Sequence, residues 1–103
     1  MKYEFKNKHL IQLYTEGKNK KYNFLNKSSI RKFIKCILAI DAAVDIFDFY
    51  NSTSLHFEKL KGYDAKFSMR IDIKNRLMLE ISFEDDEKTT GIVAVIDITK
   101  HYQ

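Results

Sequence analysis

The stretch Lys66-Phe67-Ser68-Met69-Arg70-Ile71-Asp72-Ile73-Lys74-Asn75-Arg76-Leu77-Met78-Leu79-Glu80-Ile81-Ser82-Phe83-Glu84 decides the fold. Phe67, Met69, Ile71 and Ile73 alternate with Lys66, Ser68, Arg70 and Asp72, and Leu77, Leu79, Ile81 and Phe83 alternate with Arg76, Met78, Glu80, Ser82 and Glu84. A period of two marks a strand with one buried and one solvated face, so the stretch reads as two strands turning at Lys74-Asn75. A two-residue turn would pair Ile73 with Arg76 and set apolar against polar along the whole ladder. An odd connection, most simply three residues, restores agreement between the faces. Arg70 and Arg76 then lie on the same polar face.

Downstream, Glu84-Asp85-Asp86-Glu87-Lys88-Thr89-Thr90-Gly91 reads as an acidic, solvated hairpin tip without the ligand spacing of a calcium loop. Ile92 to Thr99 follows, apolar on both sides until Asp97 as in a central strand, with Asp97, Thr99 and His101 on one side. Upstream, after a short extended start at Lys2 to Phe5, Asn7 caps a helix with Leu10, Leu13 and Tyr14 on its apolar face, and Gly17 stops it. Lys18 to Asn23 is a basic connector. Ser28 or Ser29 caps a second helix with Ile30, Phe33, Ile34, Ile37, Leu38 and Asp41 at i, i+3, i+4 spacing. Asp45 to Tyr50 is a short helical turn and Asn51 to Ser54 a loop. The order is helix, helix, then three or four antiparallel strands. This is an α+β domain in which two N-terminal helices cover one face of a small, mainly antiparallel sheet and leave the polar face open.

With 103 residues the chain is one domain. Its longest apolar runs fall far short of the roughly 20 residues that cross a bilayer, and Met1 to Phe5 shows no secretory leader. The expectation is a cytosolic protein with no membrane partner. Cys36, the single cysteine, reads as a small core residue and excludes a disulfide framework. The formal charge of +4 is unevenly spread: residues 1 to 35 hold ten Lys and Arg against two Glu, and residues 36 to 103 hold eight against twelve acids. Such asymmetry suits a basic face toward nucleic acid or an acidic partner, although a lysine-rich solvated surface has the same composition. Lys20, Lys21, Arg31, Lys32 and Lys35 make up that face.

No P-loop, HExxH or Ser/His/Asp order occurs, and His9, His56 and His101 lack a metal-ligand spacing. The expected site is metal-free and needs no cofactor. It comprises His56, Glu58, Lys59, Lys61, Arg70, Arg76, His101 and Tyr102 on or near the sheet. These residue types suit RNA cleavage by the adjacent 2′-hydroxyl, which needs a base at the hydroxyl, an acid at the leaving 5′-oxygen and cations on the phosphate. The competing reading is structural, with Arg70 and Arg76 paired across strands to Asp72 or Glu80, His56 an exposed strand residue and Tyr102 a core anchor.

Leu60-Lys61-Gly62, Phe67-Ser68-Met69-Arg70-Ile71, Asn75-Arg76-Leu77 and the final His101-Tyr102, in that order, resemble the HigB, or plasmid-maintenance killer, branch of the RelE/ParE toxin superfamily. The similarity spans nearly the whole chain. It implies a toxin of a type II toxin-antitoxin system, held inactive by a neighbouring antitoxin such as a HigA-like helix-turn-helix protein. Members like HigB and RelE cleave mRNA on the ribosome without a metal, whereas ParE-like members poison DNA gyrase. The resemblance places the family's basic loop on Lys59 and Lys61, its strand arginine on Arg70, the arginine after the turn on Arg76 and the C-terminal catalytic histidine on His101. Two positions depart from the pattern. Glu58-Lys59 precedes Leu60 where the family often has a histidine, with His56 two residues earlier, and the chain ends His101-Tyr102 where HigB-like chains end Asp-Tyr-His. Either His56 or Glu58, and either His101 or Tyr102, is left to move protons.

The leading expectation is therefore a ribosome-dependent mRNA endonuclease whose basic helix and connector meet ribosomal RNA. A gyrase-binding poison and an inactive toxin-fold binding module are the alternatives.

Overall fold

The structure, a computed structural model, describes residues 1–100. Its strands are β1 (Lys2–Phe5), β2 (Glu58–Lys59), β3 (Lys66–Arg70), β4 (Asn75–Phe83) and β5 (Gly91–Lys100). They form one open sheet in the order β1, β5, β4, β3, β2. All neighbours are antiparallel except β1, which lies parallel to β5 and pairs Tyr3 with Val93 and Phe5 with Val95. The helices are α1 (Lys8–Glu16), α2 (Lys27–Ala42) and α3 (Ile46–Asn51). The α+β architecture is as expected, with one strand more than the three or four anticipated. The extended start at Lys2 to Phe5 is that extra strand.

The β3-β4 hairpin follows the period of its sequence. Phe67 pairs with Leu79, Met69 with Leu77 and Arg70 with Arg76. The Ile71 amide bonds the Asn75 carbonyl at 3.1 Å, which leaves Asp72, Ile73 and Lys74 as a three-residue connection. Ile73 is therefore a loop residue, 74% exposed, and does not extend the apolar face. The carboxylate of Asp72 holds the loop. It accepts from the Lys74 and Asn75 amides, the Asn75 side-chain amide and the Ser29 hydroxyl of α2. This is the local bonding that makes aspartate a turn former.

β5 carries a bulge. Met78 pairs with Asp97 and Leu79 with Val95, so Ile96 has no partner. Val93 and Val95 are buried before it and Ile98 after it. One extra residue moves the inward positions from odd to even numbers. At the start of β5, Gly91 lies against the Ser82 carbonyl where a side chain has no room.

Asn7 caps α1 through the Leu10 amide, and Gly17 ends it at φ 74, as the sequence suggests. The cap of α2 is Asn26, which accepts from the Ser29 amide, rather than Ser28 or Ser29. Asparagine caps as well as serine, and the Ser29 hydroxyl is engaged by Asp72. The buried face of α2 comprises Ser29, Phe33, Cys36, Ile37 and Ile40. Leu38 is 53% exposed and Asp41 is exposed, so the helix is rotated from the expected stripe. Asp45 caps α3 through the Phe47 amide. Asn51 closes that helix, and Thr53–Leu55 is a short 3-10 turn. The acidic segment is docked rather than free: the Asp85 carboxylate accepts from the Thr89 and Thr90 amides, while Thr89 and Thr90 bond main-chain groups of Ile46 and Val44.

α1 and α2 bury Leu10, Leu13, Phe33, Ile37 and Ile40 against the inward face of the sheet, built from Met69, Leu77, Leu79, Ile81, Val93 and Val95. Cys36 lies in this core, and burial pushes its thiol up to about 11. Among the described residues no helix is long and apolar enough to cross a membrane.

Candidate functional site

The outward face of the sheet is organised in rows, because directly paired residues share a face. One row holds Arg70, Arg76 and Thr99. The next holds Glu58, Ser68, Met78 and Asp97, and the third Lys66, Glu80 and Ala94. Among the described residues α1, α2 and α3 leave these rows uncovered, and except for Ser68 their residues are half-buried or exposed.

The arginine pair is the chemical centre of this face. Arg76 donates to the main-chain carbonyls of Asp72 (3.0 Å) and Asn75 (3.3 Å). The ion pairs among the described residues, Lys6 with Glu4, Lys21 with Asp97 and Lys59 with Asp64, include neither arginine. The competing reading, in which Asp72 or Glu80 pairs with them, is not met among the described residues: Asp72 contributes its carbonyl to Arg76 and commits its carboxylate to the turn. Burial acts to raise the Asp72 carboxyl, but hydrogen bonds from Ser29, Asn75 and the Lys74 and Asn75 amides hold it below its ordinary value.

His56 joins the pair from outside the sheet. Its Nε2 lies 3.4 Å from Nη1 of Arg70. A guanidinium only donates, so this contact needs the neutral imidazole with its proton on Nδ1. His56 is not a strand residue. Its backbone is left-handed, φ 46 and ψ 51, at the end of the Thr53–Leu55 turn. Both neighbours are sunk in the core, Leu55 4% and Phe57 6% exposed. The Phe57 ring stacks on Phe67 at 4.9 Å and meets Phe49 at 5.0 Å and Tyr50 at 4.8 Å. Anchors on both sides over-determine a conformation that costs a non-glycine residue roughly 1–2 kcal/mol. The imidazole is thereby held over the end of β3.

Glu58 shares the outward face one row away, opposite Ser68. Lys59 does not, because it pairs with Phe67 on the helix side and its ammonium lies 3.8 Å from Asp64. Lys61 is exposed in the following turn, where the Tyr63 amide bonds the Leu60 carbonyl and Gly62 takes φ 86. His101 and Tyr102 lie outside the described residues. Arg31 and Lys35 are exposed on the side of α2 turned away from the sheet, so they and the arginine pair occupy opposite sides of the molecule. Lys32 is tied down to the Ser54 carbonyl at 2.7 Å. Lys20 and Lys21 sit on a 3-10 turn fixed by buried Tyr22, whose hydroxyl donates to Asp97 at 2.7 Å. Burial and that carboxylate raise the Tyr22 hydroxyl well above its usual range.

Two hollows with mostly apolar linings border these groups. A groove of about 690 Å³ runs along the basic connector past His9, Lys20, Tyr22 and Ile30. It is the larger, but neither arginine nor His56 lines it. A smaller one, about 350 Å³, lies on the outward sheet face between the Leu60–Tyr63 turn and Met78, Ile96 and Thr99. The sequence reading missed Tyr63 and Met78 in this role. An aromatic next to Lys61-Gly62 was the available signal. Among the described residues no three His, Cys, Asp or Glu side chains cluster as metal ligands.

No family model matches the chain, and no curated protein sequence matches it.

Proposed function

We propose that the chain is a type II toxin of the HigB-like kind, a ribosome-dependent mRNA endonuclease that works without a metal and is restrained by a dedicated antitoxin. The observation that carries the reading is the directly opposed Arg70–Arg76 pair on an open sheet face, with His56 3.4 Å from Arg70. Two adjacent guanidinium groups without carboxylate partners among the described residues form an anion site, and arginine forks match phosphate oxygens.

In the proposed reaction the scissile phosphate lies between Arg70 and Arg76. Arg70 turns from His56 to the phosphate, which frees the Nε2 lone pair. His56, or Glu58 from the next row, takes the proton of the 2′-hydroxyl as its oxygen bonds phosphorus. The bond from phosphorus to the 5′-oxygen breaks, and that oxygen takes a proton from His101 or Tyr102. The products are a 2′,3′-cyclic phosphate and a free 5′-hydroxyl. The arginines stabilise the charge that builds on the phosphoryl oxygens. The basic surface on the far side, with Arg31 and Lys35, supplies a sequence-blind attraction to ribosomal RNA.

The test is inducible expression of the chain alone in a bacterium, with primer extension on an abundant message and a parallel supercoiling assay. New 5′ ends within translated codons, lost in R76A, are expected. Growth arrest with intact messages and altered supercoiling would move the reading to a gyrase poison, and absence of arrest would leave a binding module.

A further inference from the structure

The smaller hollow begins one row from the arginine pair. Arg76 and Met78 are two residues apart on β4 and point outward together, which separates their rows by about 7 Å along the strand. A group held at Arg70 and Arg76 therefore has the hollow beside it. Its surfaces are mostly apolar: Met78 and Ile96 come from the sheet, and Leu60 and Tyr63 overhang from the turn. That turn is built to stay in place. The Leu60 amide bonds the Lys66 carbonyl at 2.8 Å, Gly62 supplies the left-handed corner, and the Ile81 amide bonds the Ala65 carbonyl at 2.8 Å. The Lys66 ammonium lies 4.4 Å from the centre of the Tyr63 ring and steadies it, while Tyr63 stays 51% exposed. Of the charged groups that line it, Glu80 and Asp97 outnumber Lys66, whose ammonium is turned to the Tyr63 ring, and this balance opposes entry of a second phosphate.

A flat, uncharged group attached to a phosphate matches these features: an apolar slot, an aromatic overhang, carboxylates that repel anions, and an anion site one row away. We propose that the hollow formed by Leu60, Tyr63, Met78 and Ile96 receives an unpaired nucleobase of the nucleotide whose phosphate lies at Arg70 and Arg76. The volume, about 350 Å³, falls at the low end of small-ligand pockets, roughly 300–1,000 Å³. Tyr63 provides the stacking surface and Met78 a deformable floor that accepts purine or pyrimidine. The inference rests on reading the arginine pair as a phosphate site, and the test separates the two.

The full chain is titrated in NMR with inorganic phosphate, ribose 5-phosphate, CMP and AMP, following the Arg70, Arg76 and His56 signals and those of Tyr63 and the Met78 methyl. Phosphate and ribose 5-phosphate are expected to move only the first group. CMP and AMP are expected to move both groups and to bind about tenfold more tightly than ribose 5-phosphate, the scale of one base-aromatic stack. Y63A, a change at an exposed turn, should remove that gain and leave the phosphate response. If CMP and AMP behave like ribose 5-phosphate, the base site falls and the phosphate site stands. If the arginine signals ignore all four compounds while Tyr63 and Met78 respond to CMP and AMP, the phosphate reading falls instead. If nothing moves, both fall.

Discussion

Arg70 and Arg76 are direct partners across β3 and β4, and neither takes part in an ion pair among the described residues. Like charges placed directly opposite destabilise a sheet, on a scale of roughly 0.2–1 kcal/mol per pair. Neutralising one by R70Q is expected to raise stability by up to about 1 kcal/mol in low-salt buffer. Added phosphate should stabilise the parent chain and leave R70Q nearly unchanged. Urea unfolding with and without phosphate measures both. An R70Q protein less stable than the parent at low salt would show that the pair is not repulsive.

His56 is held at φ 46 between two buried neighbours. Alanine keeps the steric cost of that backbone and glycine removes it, partly offset by the greater freedom of glycine in the unfolded chain. H56G is expected to be more stable than H56A by about 1 kcal/mol. Both lose the contact with Arg70, so a nuclease that uses His56 as its base should lose activity equally in the two variants. Paired urea curves and growth-arrest assays check this, and an H56G that is the less stable of the two contradicts the strain.

Asp72 is the acid whose titration couples most directly to the site, since it shapes the turn between the two arginines. Its folded pKa is depressed by the hydrogen bonds it accepts, against the opposing effect of burial. Such a group stabilises the fold above its unfolded pKa, near 3.9, and the contribution disappears as pH falls through the folded value. D72A should therefore be less stable than the parent at neutral pH, and the gap should narrow below about pH 4. Asp85 is shifted the same way, so D72A keeps some acid sensitivity. A gap that stays constant with pH would place the loss in the turn geometry alone.

Gly91 pairs with Phe83 where the acidic turn re-enters the sheet. A Cβ there would stand 2.0 Å from the Ser82 carbonyl oxygen and 2.8 Å from Phe83 Cα, and backbone cannot yield as a side chain does. G91A is expected to cost about 1–3 kcal/mol, the range for overpacking, read from the urea midpoint. A midpoint within error of the parent would mean that β4 and β5 separate there freely.

The outward placement of Arg70 and Arg76 was legible in the sequence because the period of two and the parity of the turn together leave one solution. The capped ends of α1 were legible for the same kind of local reason. Ile73 was misplaced because alternation continues through it while the chain has already turned. The α2 stripe was misassigned because Leu38 and Ile40 are equally apolar, and only the direction of the sheet selects between them. His56 looked like a strand residue, since alternation of Leu55, His56 and Phe57 cannot distinguish an extended chain from a left-handed turn that sinks both neighbours. The site depends on that turn, which is imposed by packing of Phe57 with Phe49, Tyr50 and Phe67 on other elements of the fold. The hollow beneath Tyr63 requires the β2-β3 connection to fold over the sheet, a long-range relationship that no local spacing encodes.

The unpaired Ile96 acts as a phase correction in the last strand. Before it β5 counts inward on odd numbers, after it on even. Were β5 to run through Ile96 as a regular strand, Asp97, Ile98 and Thr99 would turn over together: Ile98 would enter solvent, Thr99 would be driven into the apolar interior, and Asp97 would leave the Tyr22 hydroxyl. The basic connector and the arginine row are thus keyed to each other through one irregularity in a single strand, and the face that Asp97 and Thr99 present depends on Ile96 staying out of the ladder.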